Sequence, residues 1–391
     1  MLALATLAGA LAALIWMLLL FARGGFWRVR RCTASPPHGS SQALRIAAVV
    51  PARNEAEFIA ASVLSLLDQG VDLFLVDDDS TDATSAVARA AAADAGKSAS
   101  LTVIPSKPLP AGWSGKLWAL QQGVESALQI SPDFLLLTDA DIVHGPRTVA
   151  TLTALADGGY DLVSLMVKLH CRSFAEKLLI PAFVFFFFLL YPPAWSRGAR
   201  RRTAGAAGGC MLIRPQALER AGGLAAIRGE IIDDCALARA IKRSGGRVSL
   251  WLTSASASVR PYDSWSGMRR MISRTAFNQL RHSSWLLFLT LFALIVVYLS
   301  PPLLLFAASA APVLLGTAAS IVPLALGATA WGLMSFAYLP LVRFYGLHPG
   351  WALTLPLAAA FYAGATVDSA IRYWRGRGGE WKGRMQDSSP G

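Results

Sequence analysis

Residues 134–141, FLLLTDAD, form an apolar run that ends in two carboxylates, Asp139 and Asp141, and this stretch decides the fold. A stretch of the same form, LFLVDDD, occupies residues 73–79. Short apolar runs that end at turn residues are typical of buried strands, and open α/β sheets bind ligands at the carboxyl ends of their strands. Two such strands predict one shared crevice. Carboxylates there suit Mg²⁺ or Mn²⁺ carrying a diphosphate, which indicates a nucleotide-diphosphate sugar as donor.

Strand and helix signals alternate around these two stretches. The pattern predicts strands at residues 46–50, 73–76, 101–104 and 134–138, and helices at residues 55–69, 83–95 and 116–127. Such alternation predicts a parallel sheet with crossover helices, and right-handed crossovers bring the carboxyl ends of the strands to one rim. We therefore predict an α/β catalytic domain with a mixed, mostly parallel sheet at residues 44–282.

The two ends of the chain are apolar. Residues 1–22 carry no charged side chain, and residues 283–342 contain no Asp, Glu, Lys or Arg. About 20 apolar residues span a bilayer, so we predict an N-terminal transmembrane anchor at residues 1–22 and C-terminal transmembrane helices at residues 283–371. A secretory signal is disfavoured for the first stretch, because it lacks a basic start and is too long for a signal core. The short apolar segment 174–195 predicts an interfacial helix, with a plain core helix as the alternative.

Basic residues cluster beside the apolar segments, at residues 23–31, 197–202, 269–281 and 372–384. The positive-inside rule places the catalytic domain and a basic tail, residues 372–391, in the cytoplasm. That placement needs an even number of C-terminal crossings, either four, or two if one stretch is re-entrant. The sequence thus predicts a multi-pass protein of a bacterial-type inner (cytoplasmic) membrane. Headgroup attraction explains the net charge of +12 without nucleic acid, for which no motif is present.

Polar residues also follow the first predicted strand. Residues 51–55, PARNE, contain Pro51, Arg53, Asn54 and Glu55, and the loop after a first strand is where a nucleotide packs in such sheets. Capping of the next helix by Asn54 is the alternative. After the second strand, consecutive aspartates repel one another unless a cation or a ring N–H offsets them. The four cysteines are widely spaced, which indicates a reducing compartment and no zinc site.

These motifs and their order resemble those of the family-2 glycosyltransferases, over residues 47–282. The resemblance implies a GT-A-like fold, a nucleotide-diphosphate sugar donor and a divalent metal. The residues it assigns to the donor nucleotide are Pro51, Arg53, Asn54, Glu55, Asp77, Asp78, Asp79, Lys116 and Asp139, with Asp77 or Asp78 on the base. The metal ligand it implies is Asp141, with Asp139 near the ribose and the metal.

Two further segments resemble the acceptor side of that family. Residues 205–214 are glycine-rich and include Gly208 and Gly209, although glycines also simply admit tight turns. Asp233 and Asp234 match the family's Glu-Asp pair with Asp in place of Glu, and the resemblance gives Asp234 the role of general base. The alternative is that both carboxylates only interact favourably with a helix dipole.

One departure from the family concerns its processive members, which carry a Q-x-x-R-W motif. The corresponding region, residues 269–279, lacks that glutamine and tryptophan, so polymer synthesis is disfavoured. Arg270 and Arg274 lie four residues apart on one predicted helix face, and either could bind the donor diphosphate. A basic helix near the membrane is an equal alternative.

Other details resemble the hopene-associated glycosyltransferases of hopanoid-producing bacteria. They are Trp195 and the segments PAGWSGKLWA at 110–119, DDCALA at 233–238 and RTAFNQL at 274–280. The resemblance implies a hopanoid pathway and an inverting, one-step transfer. A lipid acceptor is expected because a soluble one would not require several membrane segments. A hopanoid is the specific hypothesis, and a polyprenyl phosphate or a glycerolipid is the alternative.

Two other functional classes fit the sequence less well. A transporter or membrane scaffold would need ionisable residues inside the spans, where Asp368 is the candidate. A lipid-linked nucleotidyltransferase would need a glycine-rich phosphate loop after the first strand, and residues 51–55 contain no glycine. The full phosphate-loop pattern is also absent around Lys116, which leaves a contact to the donor phosphates or the first residue of a helix as its role.

Overall fold

The computed structural model describes residues 2–30, 32, 44–199, 201–262, 264–306 and 321–376. The chain divides into two compact units. The helical unit consists of Met1–Val29, Cys171–Ala194 and Tyr262–Gly376, and the sheet unit contains Arg30–His170 and Trp195–Pro261. The predicted catalytic segment, residues 44–282, therefore contributes to both units. Residues 33–41 and most of the predicted basic tail, beyond residue 376, lie outside the described residues.

The described part of the sheet unit forms one eight-stranded sheet. Its strands are β1 (Ile46–Ala52), β2 (Asp72–Asp77), β3 (Leu101–Pro105), β4 (Phe134–Thr138), β5 (Ile142–His144), β6 (Leu162–Lys168), β7 (Cys210–Ile213) and β8 (Val248–Ser258). The order is β3-β2-β1-β4-β7-β6-β8-β5. Strands β1 to β4 pair in parallel, β7 is antiparallel to β4 and β6, and β5 is antiparallel to β8. The predicted mixed, mostly parallel sheet is confirmed.

The helices are numbered along the whole chain. They are α1 (Leu2–Ala22), α2 (Ile59–Leu67), α3 (Thr84–Asp94), α4 (Gly115–Leu128), α5 (Thr148–Asp157), α6 (Phe174–Leu190), α7 (Pro193–Arg197), α8 (Pro215–Arg220), α9 (Asp233–Arg243), α10 (Trp265–Ser273), α11 (Ala276–Gln279), α12 (Ser284–Leu294), α13 (Ile321–Phe344) and α14 (Leu355–Trp374). A π-helical segment, Ile295–Leu299, follows α12.

Alternating side chains of the central strands fill two apolar cores. Val50, for example, packs in one core with residues of α2, α3 and α5, and its neighbour Val49 packs in the other with residues of α4 and α9. This burial on both faces explains why the central strands are continuous apolar runs in the sequence. Helix α2 begins four residues later than predicted, since Asn54 adopts a φ of 54° and a turn precedes Ile59.

The helical unit carries an apolar surface. The described residues include four helical segments long and apolar enough to cross a bilayer, Leu2–Ala22, Ser284–Phe306, Ile321–Phe344 and Pro349–Trp374. All the large apolar side chains found exposed lie in this unit, apart from Leu44 and Leu128. Such a surface needs an apolar surrounding. The structure therefore fits membrane association of this unit.

Helix α6, the predicted interfacial helix, packs among the other helices of its unit. The buried Phe185 ring contacts Phe26 and Tyr338 at centroid distances of 5.2 and 5.3 Å. At the start of the helix, the buried carboxylate of Glu176 accepts the backbone N–H groups of Ser173 and Tyr262. These contacts are those of a core helix of the unit. Its position at a bilayer interface stays a prediction.

The end of α14 lies beside the start of α12. The His282 ring stacks on Tyr373 at 4.0 Å, and Phe277 packs against Trp374 at 5.6 Å. Leu287, in the first turns of α12, belongs to the same apolar cluster. The chain beyond α14 therefore starts at the level from which α12 starts. Three candidate spans follow residue 282 in the described part. An even number of crossings between these two points stays a prediction.

We predict that the tail and the residues before α12 face the same side of the membrane. With the partly exposed Cys32 and Cys171 replaced by serine, single cysteines at Arg281→Cys and Ser388→Cys should react with an impermeant maleimide from the same side. The same protein without either introduced cysteine is the control and should stay unlabelled from both sides. Opposite labelling of the two positions would establish an odd number of crossings.

Candidate active site

The rim at the carboxyl ends of β1, β2 and β4 collects the predicted motifs. Arg53 follows β1, Asp77 ends β2, and Asp139 follows β4. The three strands are neighbours in parallel register, with Ala52 opposite Asp77. The common rim inferred from the sequence is thus present, and each motif enters it from the end of its own strand.

The Lys116 ammonium group lies between two of the predicted motifs. Its Nζ atom is 2.9 Å from Asp139 Oδ1 and 3.2 Å from Asp233 Oδ2. Lys116 is placed by the first turn of α4, where the Ser114 hydroxyl accepts the N–H of Leu117. Burial alone would lower the pKa of Lys116, but the charges of Asp139 and Asp233 raise that pKa well above its ordinary value. Lys116 therefore stays cationic and neutralises part of the acidic cluster.

Asp234 is anchored at the opening turn of α9. Its Oδ2 atom accepts the N–H of Gly208 at 2.8 Å, and its Oδ1 atom accepts the N–H of Cys235 at 2.6 Å. Burial and the neighbouring charge of Asp233 raise the pKa of Asp234 to about 6, against the opposing influence of Lys116 and of the two N–H groups. A carboxylate with a pKa near the working pH suits a general base.

Gly208 lies close to two charged side chains. A Cβ atom at this position would lie 3.3 Å from Lys116 Nζ and 3.5 Å from Asp234 Oδ2. The predicted glycine-rich segment thus brings its backbone against both charged groups. Gly209, the next residue, accepts a hydrogen bond from the Thr138 hydroxyl through its carbonyl oxygen at 2.7 Å.

Asp141 is held by two residues that sequence reasoning missed. Its Oδ2 atom accepts a hydrogen bond from Ser258 Oγ at 2.8 Å and lies 3.3 Å from Arg260 Nε. The Arg260 guanidinium also pairs with Glu55 and covers the Phe58 ring at 4.7 Å. No motif marks Ser258 or Arg260. The available signal was the long polar end of β8, which pairs with β5 directly after the D-A-D segment.

The loops after β1 and β2 hold each other in place. The Arg53 guanidinium lies 3.6 Å from the Asp78 carboxylate and 3.9 Å from that of Asp79. Asn54 does not cap α2, as the alternative interpretation required. Its side-chain oxygen instead accepts the N–H of Thr81 at 2.8 Å, so Asn54 links the two loops.

The three consecutive aspartates have different surroundings. Asp77 accepts hydrogen bonds from the N–H of Ser80 and the hydroxyl of Ser85. The Asp78 side chain is 1% exposed, whereas that of Asp79 is 79% exposed and its residue adopts a φ of 56°. Pro51 is buried in β1. Contacts of these residues with a nucleotide stay a prediction.

Arg270 and Arg274 belong to the helical unit. Both side chains are exposed, and the N–H of Arg274 donates to the carbonyl of Arg270 at 3.1 Å, as expected for one helix face. The other predicted site residues lie in the sheet unit. The predicted contact of either arginine with a diphosphate stays a prediction.

The carboxylates of Asp139 and Asp141 are the predicted donors to a metal ion. Among the described residues, no group of three or more His, Cys, Asp or Glu side chains is arranged to hold an ion. Mg²⁺ commonly uses one or two carboxylates together with substrate phosphates. The two aspartates fit such a shared site, and Lys116 and Arg260 offset their charges in this structure.

The match to a known family decides the identity of the chain. The family described as "Glycosyltransferase like family 2" matches residues 43–278. The chain belongs to this family. It is a family-2 glycosyltransferase, as the motifs indicated.

Two individual proteins resemble this glycosyltransferase. An undecaprenyl-phosphate 4-deoxy-4-formamido-L-arabinose transferase of Yersinia enterocolitica is 29% identical over 137 residues, which is 34% of this chain. The match spans 39% of that relative's own length. The structure of a mannosyltransferase of Pyrobaculum calidifontis, solved with GDP-Man and Mn²⁺, is 19% identical with a TM-score of 0.56. That similarity covers 94% of this chain and 99% of the other, and it supports the fold.

The environment of Asp234 predicts a pH dependence. A general base acts when it is ionised, so transfer should fall as the pH drops through about 6, the pKa of Asp234. Lys116→Met removes a cation that lowers this pKa. The decrease of kcat on the acidic side of its pH profile, the acid limb, should therefore move to higher pH. The control is Lys97→Met, which removes a lysine paired with Asp68 at the surface. An acid limb that stays in place in Lys116→Met would contradict the coupling of the two residues.

Proposed function

We propose that this enzyme transfers a sugar from a nucleotide-diphosphate sugar to the hydroxyl group of a lipid acceptor, with inversion at the anomeric carbon. The observation that carries the proposal is the Lys116 cluster. There the D-A-D segment and the Asp233-Asp234 pair, 92 residues apart at their nearest members in the sequence, are bridged by one ammonium group. This contact supports a shared site for the proposed donor-binding motif and the proposed base.

The donor would lie along the rim of the sheet. Its base would contact the loops that contain Arg53, Asp77 and Asp78, and its diphosphate would approach Lys116. This direction is supported by the general position of nucleotides at the strand ends of open α/β sheets. Lys116 would then exchange part of its pairing with Asp139 for the phosphate oxygens, because both are anionic acceptors.

A divalent ion would be held by Asp141 and Asp139 together with the diphosphate. When bound, it would stabilise the negative charge that develops on the leaving group. Arg260, which lies beside Asp141, supplies a second cation at the same place. Mg²⁺ and Mn²⁺ both fit a site of carboxylate and phosphate oxygens.

The transfer step uses Asp234. Its carboxylate accepts the proton of the acceptor hydroxyl while the acceptor oxygen forms a bond to the anomeric carbon. The bond from that carbon to the diphosphate breaks, and the diphosphate leaves with the electron pair. Attack from the side opposite the leaving group inverts the carbon. The two N–H groups on Asp234 orient its carboxylate, and the raised pKa keeps it a competent proton acceptor near neutral pH.

The acceptor would reach the enzyme from a membrane. Four apolar helical segments of suitable length support a multi-pass protein of the inner (cytoplasmic) membrane, with the catalytic residues on the cytoplasmic side. The specific acceptor proposed is a hopanoid-type lipid, on the resemblance of residues 110–119, 233–238 and 274–280. Its alcohol group would need a base, which is what Asp234 offers.

A polyprenyl phosphate is the second candidate acceptor. The observation in its favour is the similarity to the Yersinia relative, an undecaprenyl-phosphate 4-deoxy-4-formamido-L-arabinose transferase. The two acceptors differ in their chemistry. A phosphate monoester has a second pKa of about 6 and is largely ionised near neutral pH, so it needs little help from a base.

The base is tested by Asp234→Asn. The amide is nearly isosteric but cannot take the proton, so transfer to a lipid alcohol should fall roughly 10²- to 10⁴-fold, while donor binding is kept. Purified enzyme in lipid nanodiscs would be assayed with radiolabelled donor and titrated with nucleoside diphosphate. Asp233→Asn is the matched control. An active Asp234→Asn together with an inactive Asp233→Asn would move the base to residue 233, and a phosphate acceptor would reduce the loss in Asp234→Asn.

The metal role is tested by Asp141→Ala. Removal of a carboxylate at the rim should abolish Mn²⁺ binding in the presence of nucleoside diphosphate and with it turnover, but it should leave the thermal unfolding curve in place. Mn²⁺ binding would be followed by electron paramagnetic resonance. Asp94→Ala, at an exposed helix end, is the control. Near-normal activity of Asp141→Ala after EDTA treatment would remove the metal from the proposal.

A further inference from the structure

A buried histidine lies beneath the rim of the sheet. His144, the last residue of β5, is 3% exposed. Its Nε2 atom lies 2.9 Å from Thr138 Oγ1, and its Nδ1 atom lies 3.1 Å from Ser256 Oγ. Burial lowers the pKa of His144 to about 4, so the ring is neutral at physiological pH. The role of this residue is not explained by donor or acceptor binding.

The hydrogen bonds around His144 run in one direction. The Thr138 hydroxyl has a single hydrogen, which it donates to the carbonyl oxygen of Gly209. Thr138 must then accept from His144, whose Nε2 atom carries the hydrogen. The Nδ1 atom in turn accepts from Ser256, and Ser256 accepts from the Thr148 hydroxyl at 3.1 Å. With the ring neutral, the hydrogen bonds of this chain therefore fix one tautomer, the one with its hydrogen on Nε2.

The hydrogen-bond chain ends next to the base. Its last acceptor, the carbonyl of Gly209, belongs to the residue that follows Gly208, whose N–H is bonded to Asp234 Oδ2. Gly209 is also closely packed, since a Cβ atom there would lie 3.2 Å from Val167. Thr138, whose hydroxyl donates the hydrogen bond to this carbonyl, directly precedes Asp139 in the sequence. One chain of hydrogen bonds thus connects the D-A-D segment with the turn that holds the base.

We propose that His144 is a positioning residue for Asp234. Acting through Thr138 and the Gly209 carbonyl, it fixes the Gly208-Gly209 turn so that the Gly208 N–H stays directed at the Asp234 carboxylate. The inference rests on the proposed role of Asp234 as the base. Small displacements at a reacting group can cost up to about a hundredfold in rate, so the effect of this connection should be measurable.

The sharpest test uses Thr138, because Val and Ser each change one property of this side chain. Thr138→Val keeps the shape but loses the hydroxyl, and Thr138→Ser keeps the hydroxyl. We expect kcat to fall roughly 10- to 100-fold in Thr138→Val. We also expect the acid limb of the kcat profile to move to higher pH, because the Gly208 N–H lowers the pKa of Asp234. Thr138→Ser should behave like the wild type, and His144→Leu should behave like Thr138→Val.

The control variant removes a different hydrogen bond of His144, one that is not part of the series of side-chain hydrogen bonds described above. The backbone N–H of His144 donates to Ser65 Oγ at 3.0 Å, so Ser65→Ala loosens the same strand and leaves Thr138, Ser256 and Gly209 connected. Its thermal unfolding temperature should fall, whereas its acid limb should stay in place. The pH profile therefore separates positioning of the base from loss of stability.

The inference would be overturned if Thr138→Val and Ser65→Ala lost activity only in proportion to their stability, with the acid limb unmoved in both. If His144→Leu does not fold, the comparison of Thr138→Val with Thr138→Ser still decides. A failure of the proposed function would give a different result. Normal transfer by Asp234→Asn would show that Asp234 is not the base. If Asp234→Asn is inactive but the acid limb of Thr138→Val stays in place, only the positioning role of His144 is contradicted.

Discussion

The contact of the Lys116 ammonium with Asp139 and Asp233 is the interaction on which the site depends. Two carboxylates close together repel each other, and a cation between them offsets this repulsion. Lys116 provides that cation from the first turn of α4, at 2.9 and 3.2 Å. Lys116 also opposes the burial and the Asp233 charge that raise the pKa of Asp234 to about 6. Arg260 likewise offsets the negative charge of Asp141.

The sheet provides the rigidity that this charge arrangement needs. Strands β1, β2 and β4 are buried on both faces, so the loops that follow them leave the core at fixed positions. The antiparallel strand β7 then returns the chain to β4, with Cys210 opposite Thr138. This pairing brings the Gly208-Gly209 turn beside the D-A-D segment, and through Gly208 it reaches Asp234 at the start of α9.

Much of the site could be predicted because its residues follow strands with strong local signals. Strand β4 has the predicted limits, and Asp139 and Lys116, which the sequence assigns to the same donor site, are in contact. Ser258, Arg260 and His144 were missed, since their positions depend on the pairing of β5 with β8, between residues more than a hundred positions apart. The spacing of apolar residues along the sequence does not predict which distant strands pair. The same reason explains Asn54, whose local role as a cap is replaced by a contact with Thr81.

Lipid mass spectrometry of the producing cells tests the central claim most directly, that Asp234 drives transfer of a sugar to a membrane lipid. Membranes would be compared from cells with the wild-type protein, with Asp234→Asn at the same expression level, and without the protein. The account predicts a lipid heavier by one sugar residue in the first sample and its absence from the other two, and the mass would name both sugar and acceptor. Identical lipid profiles in all three samples, or the same glycolipid in the Asp234→Asn cells, would contradict it.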